Sequence, residues 1–177
     1  MVQITSPRPG EGTTTTSTNL AVACARAGQR VVLVDCDLRR PRIHSFFGLP
    51  NDKGFTTSMV GASFDEVAQK VDGEPNLAIV SSGPIPPDPS ELLSARTASA
   101  FIKLVAAEVD LVVIDSPPVL VVADPPIVSR MVDGVILVAS AKQTERRQAS
   151  DAADQLAQID APVIGTVLNA YDLDSGS

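Results

Sequence analysis

The feature that most constrains this chain is the alternation of short, apolar, β-branched runs with stretches of helical spacing. Most of the runs are continuously apolar, which is typical of parallel strands covered on both faces. Strands are predicted at residues 2–5, 31–34, 77–80, 111–114, 135–139 and 163–168, and helices at 14–27, 64–71, 90–107, 145–158 and around 125–131. This order predicts an α/β fold in which a mostly parallel central sheet is flanked by helices on both faces.

The first predicted helix carries its own boundary signals. Leu20, Ala23, Cys24 and Ala27 follow the spacing of a buried helical stripe, and Gly28 is a typical residue just beyond a helix end. We therefore expect these four side chains to face the sheet.

The length of the chain predicts one domain. Its 177 residues, 44% of them apolar, suit a single compact unit spanning residues 1–177, with a frayed tail at about 172–177. The net charge of −7 disfavours generic nucleic-acid binding, and 3% aromatic residues without tryptophan offer no stacking platform. No apolar run approaches the roughly 18 residues of a membrane span, and two unpaired cysteines predict a cytoplasmic protein.

A glycine-containing turn follows the first predicted strand. Residues 6–14 include Gly10 and Gly12 and lead into a helix, which is the setting of a phosphate-binding loop. Thr13 stands where a Walker A motif carries lysine, so this position lacks the charge that reaches the β- and γ-phosphates. The turn alone is also compatible with an ordinary strand–turn–helix connection in which a threonine caps the helix.

Three acidic residues follow two other predicted strands. Asp35 and Asp37 end the second strand, and Asp115 ends the strand at 111–114 in the manner of a Walker B motif. Alternate residues of a strand share a face, so Asp35 and Asp37 would both face the phosphates if the strand continued that far. Carboxylates at such an edge favour a magnesium site beside the phosphate-binding turn.

With these motifs, the chain resembles the bacterial tyrosine kinases, the Wzc/CapB/CpsD-type domains of capsule and exopolysaccharide assembly. The resemblance rests on segments 9–12, 35–41, 83–93, 114–118 and 167–169, and extends from about residue 4 to residue 169. Its most specific parts are the Asp-x-Asp-x-Arg pattern at Asp35, Asp37 and Arg39 and the proline-rich segment 83–93. It implies the three-layer P-loop NTPase fold that this family shares with its ParA/MinD relatives.

The resemblance also implies an activity, ligands and site residues. The activity is ATP-dependent phosphorylation of protein tyrosine, with ATP or ADP and Mg²⁺ as ligands. The implied nucleotide-binding residues are Gly10, Glu11, Gly12, Thr13, Thr14, Thr15 and Asn169, the last contacting adenine. The implied metal ligands are Thr14, Asp37 and Asp115, and the implied catalytic acids are Asp35, Asp37 and Asp115, with the choice between Asp35 and Asp37 as base left open.

The same resemblance implies partners and a location. Family members form homo-oligomers, act with a membrane-embedded polysaccharide co-polymerase or activator, and phosphorylate protein tyrosines, which places them at the inner face of the membrane. The only tyrosine is Tyr171, so the tyrosine-rich tail typical of the family does not appear. The family's N-terminal helix would precede residue 1 and does not appear either. Trimming of both ends would explain this.

Thr13 leaves alternatives to an active kinase open. One is a ParA/MinD-like ATPase switch, in which Arg8 occupies the place of a second lysine that reaches a neighbouring subunit. Another is a catalytically impaired regulatory module that binds nucleotide or partner proteins. Arg8 also offers auxiliary charge within its own subunit.

Overall fold

The computed structural model describes residues 1–172, so the predicted tail at 172–177 lies outside the described residues except for Asp172. The strands are β1 (Val2–Thr5), β2 (Val31–Asp35), β3 (Ala68–Val71), β4 (Glu74–Val80), β5 (Leu111–Asp115), β6 (Gly134–Ser140) and β7 (Val163–Asn169). The helices are α1 (Thr13–Arg26), α2 (Ile43–Phe47), α3 (Phe55–Ser58), α4 (Phe64–Val67), α5 (Pro89–Ser94), α6 (Arg96–Glu108), α7 (Asp124–Ser129) and α8 (Arg146–Ala157).

All seven strands form one sheet in the order β3-β4-β2-β5-β1-β6-β7. Every neighbouring pair is parallel except β3 and β4. The predicted α/β class, with a mostly parallel sheet and flanking helices, is therefore confirmed. Because β1, β2 and β5 are adjacent and parallel, the segments that follow them leave the sheet at the same edge. The register pairs Asp35 with Asp115 at that edge.

Helices cover both faces of the sheet. On one face, Ala21 and Ala25 of α1 pack with alternate strand residues such as Ile4 and Leu33. On the other face, Phe101 and other apolar residues of α6 pack against the intervening strand residues. Burial on both faces explains why the central strands are continuously apolar. Within residues 1–172, we find no helix with the length and hydropathy needed to cross a membrane.

The structure corrects two predicted helices. The helix predicted at 64–71 ends at Val67, and the next four residues form β3, which pairs antiparallel with β4 through a turn at Gly73 (φ +79°). The helix predicted at 90–107 is two helices, because the backbone at Ala95 is extended (ψ 145°). Neither break was predicted, because no proline or glycine marks it in the sequence.

The buried face of α1 also differs from the prediction. Leu20 and Cys24 are partly buried, but Ala23 and Ala27 are exposed. The fully buried positions include Ser17 and Thr18 at the beginning of the helix. The buried face of the helix therefore runs through Ser17, Ala21 and Ala25, and the Ser17 hydroxyl donates to Asp115. The predicted end is confirmed, since α1 ends just before Gly28, which has φ +95°.

Candidate functional site

A cavity of about 500 Å³ opens at the sheet edge where β1, β2 and β5 end. Its lining comes from the turn after β1, the loop after β2 and the loop after β5, joined by Phe46 of α2. The residues from these three segments are Ser6, Pro9, Gly10, Gly12, Thr13, Thr14, Thr15, Asp37, Arg39, Arg40, Arg42, Ser116, Pro117, Pro118, Val121 and Val122. The predicted turn and one of the three predicted acids therefore share one cavity.

The turn after β1 has the backbone of an anion-binding loop. Gly10 (φ +85°) and Gly12 (φ +95°) adopt left-handed conformations that favour glycine. Gly12 is the N-cap of α1 without a side-chain cap, so the alternative in which a threonine caps the helix is wrong. The first turn of this 14-residue helix thus presents unpaired amide groups and the positive end of its dipole. This arrangement is suited to phosphate.

Thr13 is the first residue of α1 and brings no charge to the cavity. Its hydroxyl donates a hydrogen bond to Ser6 Oγ (2.9 Å), and the Ser6 hydroxyl donates to the carbonyl oxygen of Arg8 (2.8 Å). These bonds hold the two ends of the turn together. A phosphate in the turn would meet a neutral side chain at this position.

Glu11 and Asn169 brace the turn from behind. The Glu11 side chain is buried and accepts hydrogen bonds from the Arg8 amide (2.7 Å) and from the Thr144 hydroxyl. Asn169 Nδ2 donates to the Glu11 carbonyl oxygen (3.0 Å) and lies directly against Gly12. Neither Glu11 nor Asn169 lines the cavity, so direct nucleotide contacts of both residues stay predictions. The adenine contact expected of Asn169 stays a prediction.

Asp115 lies beneath the first turn of α1. Its two carboxylate oxygens accept hydrogen bonds from Thr14 Oγ1 and Ser17 Oγ, both at 2.8 Å. Burial raises the pKa of Asp115 to about 7, although the two hydroxyl donors act in the opposite direction. Thr14 lines the cavity, so it connects the buried carboxylate to the phosphate-binding turn. Ser17 was not predicted to take part.

Asp35 and Asp37 occupy different environments. Strand β2 ends at Asp35, so the extension that would place both on one face does not occur. Asp35 is fully buried and accepts hydrogen bonds from the backbone amides of Asp37, Arg42 and Ile43. Asp37 lines the cavity, and partial burial raises its pKa. A catalytic role for Asp35 stays a prediction, but its contacts are those of a group that shapes the loop.

The residues present fit a magnesium ion held with a phosphate group. In the part of the chain that the structure describes, no three His, Cys, Asp or Glu side chains form a cage for a metal. Mg²⁺ does not require such a cage, since it typically binds through one or two carboxylates, water and substrate phosphates. Thr14, Asp37 and Asp115 supply that donor set beside the turn.

An ion pair with a buried carboxylate connects the two segments that were most specific in the sequence. Arg39 Nε donates to Asp124 Oδ2 (2.7 Å), and Ser90 Oγ donates to Asp124 Oδ1 (2.5 Å). Asp124 is fully buried at the beginning of α7. Ser90 belongs to α5, in the proline-rich region. This role of Asp124 was not predicted, because its partners are distant along the chain.

The cavity is locally basic although the chain is acidic. Arg39, Arg40 and Arg42 line it together with one carboxylate, that of Asp37. Within residues 1–172, neither Arg40 nor Arg42 has a carboxylate within ion-pair distance of its exposed guanidinium group. Arg8 is also exposed but does not line the cavity.

Comparison with known families agrees with this geometry. Residues 1–174 match the ParA family described as the NUBPL iron-transfer P-loop NTPase. Cysteine thiolates are the usual ligands of iron–sulfur clusters, but this chain has two cysteines, and Cys36 is buried. The P-loop part of that description therefore suits the cavity, and the iron-transfer part has no counterpart in the described residues.

Individual proteins are similar over nearly the whole chain. Tyrosine-protein kinase YwqD of Bacillus subtilis is 41% identical over 99% of this chain and 74% of its own length. The kinase domain of the Escherichia coli tyrosine kinase ETK superposes with a TM-score of 0.94 at 30% identity, over 99% of this chain and 69% of that one. The cell division ATPase MinD of Pyrococcus furiosus shares the fold, with a TM-score of 0.80 at 23% identity over 96% of this chain and 71% of that one.

Proposed function

This chain belongs to the ParA-type P-loop NTPases and, among them, to the bacterial tyrosine kinases, and from that premise we propose that it binds Mg-ATP and transfers the γ-phosphoryl group to protein tyrosine. The 500 Å³ cavity beside the amide turn is the proposed nucleotide site. The adenine is expected to lie toward Asn169, and the phosphates on Gly10–Thr15.

The observation that carries this proposal is the contact between α1 and β5. Thr14 and Ser17 donate to the two oxygens of Asp115, which brings an acidic strand end beneath the phosphate-binding turn. A purely structural connection between a strand and a helix does not need a buried carboxylate at this point, and burying one is costly. Metal-assisted phosphoryl transfer does need one there.

The roles of the residues follow from their positions. Backbone amides of the turn would bind and orient the phosphates, and Thr14, Asp37 and Asp115 would hold Mg²⁺, which neutralises phosphate charge when bound. Asp37 lines the cavity and Asp35 is fully buried beneath its loop, so Asp37 is better placed than Asp35 to accept the proton of the tyrosine hydroxyl when its carboxylate is not held by the metal. The phosphoryl group then passes to the phenolic oxygen, and ADP leaves.

The setting of this reaction is proposed from the family. We propose that the chain acts in capsule or exopolysaccharide polymerisation and export, as a homo-oligomer at the inner face of the membrane. Its partner there would be a membrane-embedded co-polymerase that activates it. Tyr171 is exposed near the end of the described chain, so it is one available acceptor, while other tyrosines would come from partner proteins.

The test is transfer of labelled phosphate from Mg-ATP to a supplied tyrosine peptide or partner protein. We expect phosphotyrosine with the unmodified chain and none with Asp115→Asn, and calorimetry should show Mg-ADP binding by the unmodified chain. Binding without any phosphotyrosine would refute the kinase assignment. No binding heat at millimolar nucleotide would refute the nucleotide site as well.

The second candidate function is a nucleotide-dependent switch without transfer. It is favoured by Thr13, which leaves the phosphate-binding turn without the usual lysine, and by the match to the ParA family over residues 1–174. A switch would release phosphate and dimerise on ATP, with Arg8 reaching the second subunit. Light scattering with a phosphate-release assay separates it from a kinase, because the kinase requires an acceptor tyrosine.

A further inference from the structure

The cavity contains positive charge that the phosphate-binding turn does not supply. Thr13 is neutral and its hydroxyl is engaged with Ser6. Arg40 and Arg42 follow β2 and line the same cavity as the turn. Two cationic side chains therefore share a cavity with the turn in which the lysine is replaced.

Both guanidinium groups are available to a ligand. Arg39 is held by Asp124, whereas the backbone amides of Arg40 and Arg42 are anchored and their side chains are not. The Arg40 amide donates to Asp37 Oδ1 (3.0 Å), and the Arg42 amide donates to Asp35 Oδ2 (3.1 Å). Fixed backbones with unpaired side chains at a cavity wall suit recognition of an external anion, since guanidinium groups bind phosphate oxygens in pairs.

The charge balance also requires such a contribution. A nucleoside triphosphate would approach Asp37 at the cavity wall and Asp115 beneath it, in a chain of net charge −7. The Arg40 amide already donates to Asp37, so this arginine is anchored next to the carboxylate that such a ligand would approach.

We propose that Arg40 and Arg42 bind the β- and γ-phosphates of the nucleotide and so replace, from the loop after β2, the charge that Thr13 does not provide. This inference rests on the proposed nucleotide site. It assigns the compensating charge to the subunit's own loop rather than to Arg8, which does not line the cavity.

The experiment is a cycle of variants titrated with Mg-ATP by calorimetry. Arg40→Ala and Arg42→Ala should each weaken binding about 10- to 100-fold, the usual range for one charge-assisted hydrogen bond. Arg40→Lys should lose less than Arg40→Ala, because lysine keeps the charge but not the paired hydrogen bonds. Arg146→Ala, an exposed arginine of α8 outside the cavity, is the matched control and should change nothing. Unfolding temperatures without nucleotide should be equal, since all three side chains are exposed.

The decisive arm repeats Arg40→Ala in a Thr13→Lys background. If the arginine replaces the lysine, restoring the lysine should reduce the effect of Arg40→Ala to about 3-fold or less, because the two groups share one task. An undiminished effect would overturn the inference, as would equal affinities for Arg40→Ala and Arg146→Ala. If Thr13→Lys bound Mg-ATP and the unmodified chain did not, the inference about the arginines would be overturned, but the nucleotide site would stand. Failure of both backgrounds to bind would refute the proposed function itself.

Discussion

Replacing Gly12 by alanine should destabilise the protein through one contact that the structure identifies. An added Cβ would lie 1.9 Å from Asn169 Nδ2, so the amide must leave its hydrogen bond to the Glu11 carbonyl oxygen. Gly28 is the matched control, because it has the same φ of +95° and nothing within 4 Å of its Cβ position. Backbone strain, about 1–2 kcal/mol, and the opposing change in the unfolded chain are therefore common to both variants.

The difference between the two variants isolates the contact. Losing the hydrogen bond costs about 0.5–1.5 kcal/mol, and forcing atoms into a packed site costs about 1–3 kcal/mol. Gly12→Ala should thus unfold with a free energy about 2–4 kcal/mol lower than that of Gly28→Ala, as measured by urea denaturation with unchanged slope.

A third variant tests the cause of that difference. In an Asn169→Ala background the obstructing amide is absent, so Gly12→Ala should then cost no more than Gly28→Ala does in the unmodified chain. Equal stabilities of the two glycine variants in the unmodified chain would refute the reasoning, and so would an extra cost that persists without the Asn169 amide.

Three further outcomes are expected. In an Arg40→Ala background, Thr13→Lys should raise phosphotransfer by about 10²–10³-fold, the usual effect of one preorganised donor, and by less when Arg40 is present. Unchanged initial rates in both backgrounds would show that this position does not limit the reaction. Burial raises the pKa of Asp115 to about 7, so the folded state keeps a proton that the unfolded state releases near pH 4. As the pH rises between these values, the free energy of unfolding of the unliganded protein should fall by up to about 1.4 kcal/mol per pH unit relative to that of Asp115→Asn. Parallel pH profiles of the two proteins would contradict this. Arg39→Ala leaves buried Asp124 without its cation and should lower the free energy of unfolding by about 2–3 kcal/mol, after allowance for screening at the exposed guanidinium. Arg30→Ala, at an ion pair with both partners exposed, is the control. An equal loss in the two variants would show that burial of Asp124 does not strengthen its pairing with Arg39.

The central strands were predictable because burial on both faces leaves one pattern in the sequence. The predicted β1 has the observed bounds, and the predicted bounds of β2 and β5 differ by one residue. Strand β3 was not predicted, because Gln69 and Lys70 on an edge strand carry no apolar signal. Its existence depends on pairing with β4, which local pattern does not encode.

The candidate site was predictable only where its residues follow a strand. Thr14 and Asp115 were identified because a glycine-containing turn and an acidic strand end have recognisable local sequences. Ser17 was missed, since a serine within a helix has no distinctive pattern until its partner is known. The pairing of Arg39 with Asp124 was missed for the same reason, because 85 positions separate them.

The brace formed by Asn169 has a consequence for biosynthesis. This residue and Glu11 are 158 positions apart, and Thr144 and Glu11 are 133 apart. A nascent chain that has emerged from the ribosome only as far as β6 therefore presents the loop after β1 without either support. The loop after β1 therefore acquires its native contacts only after β7 has also been translated.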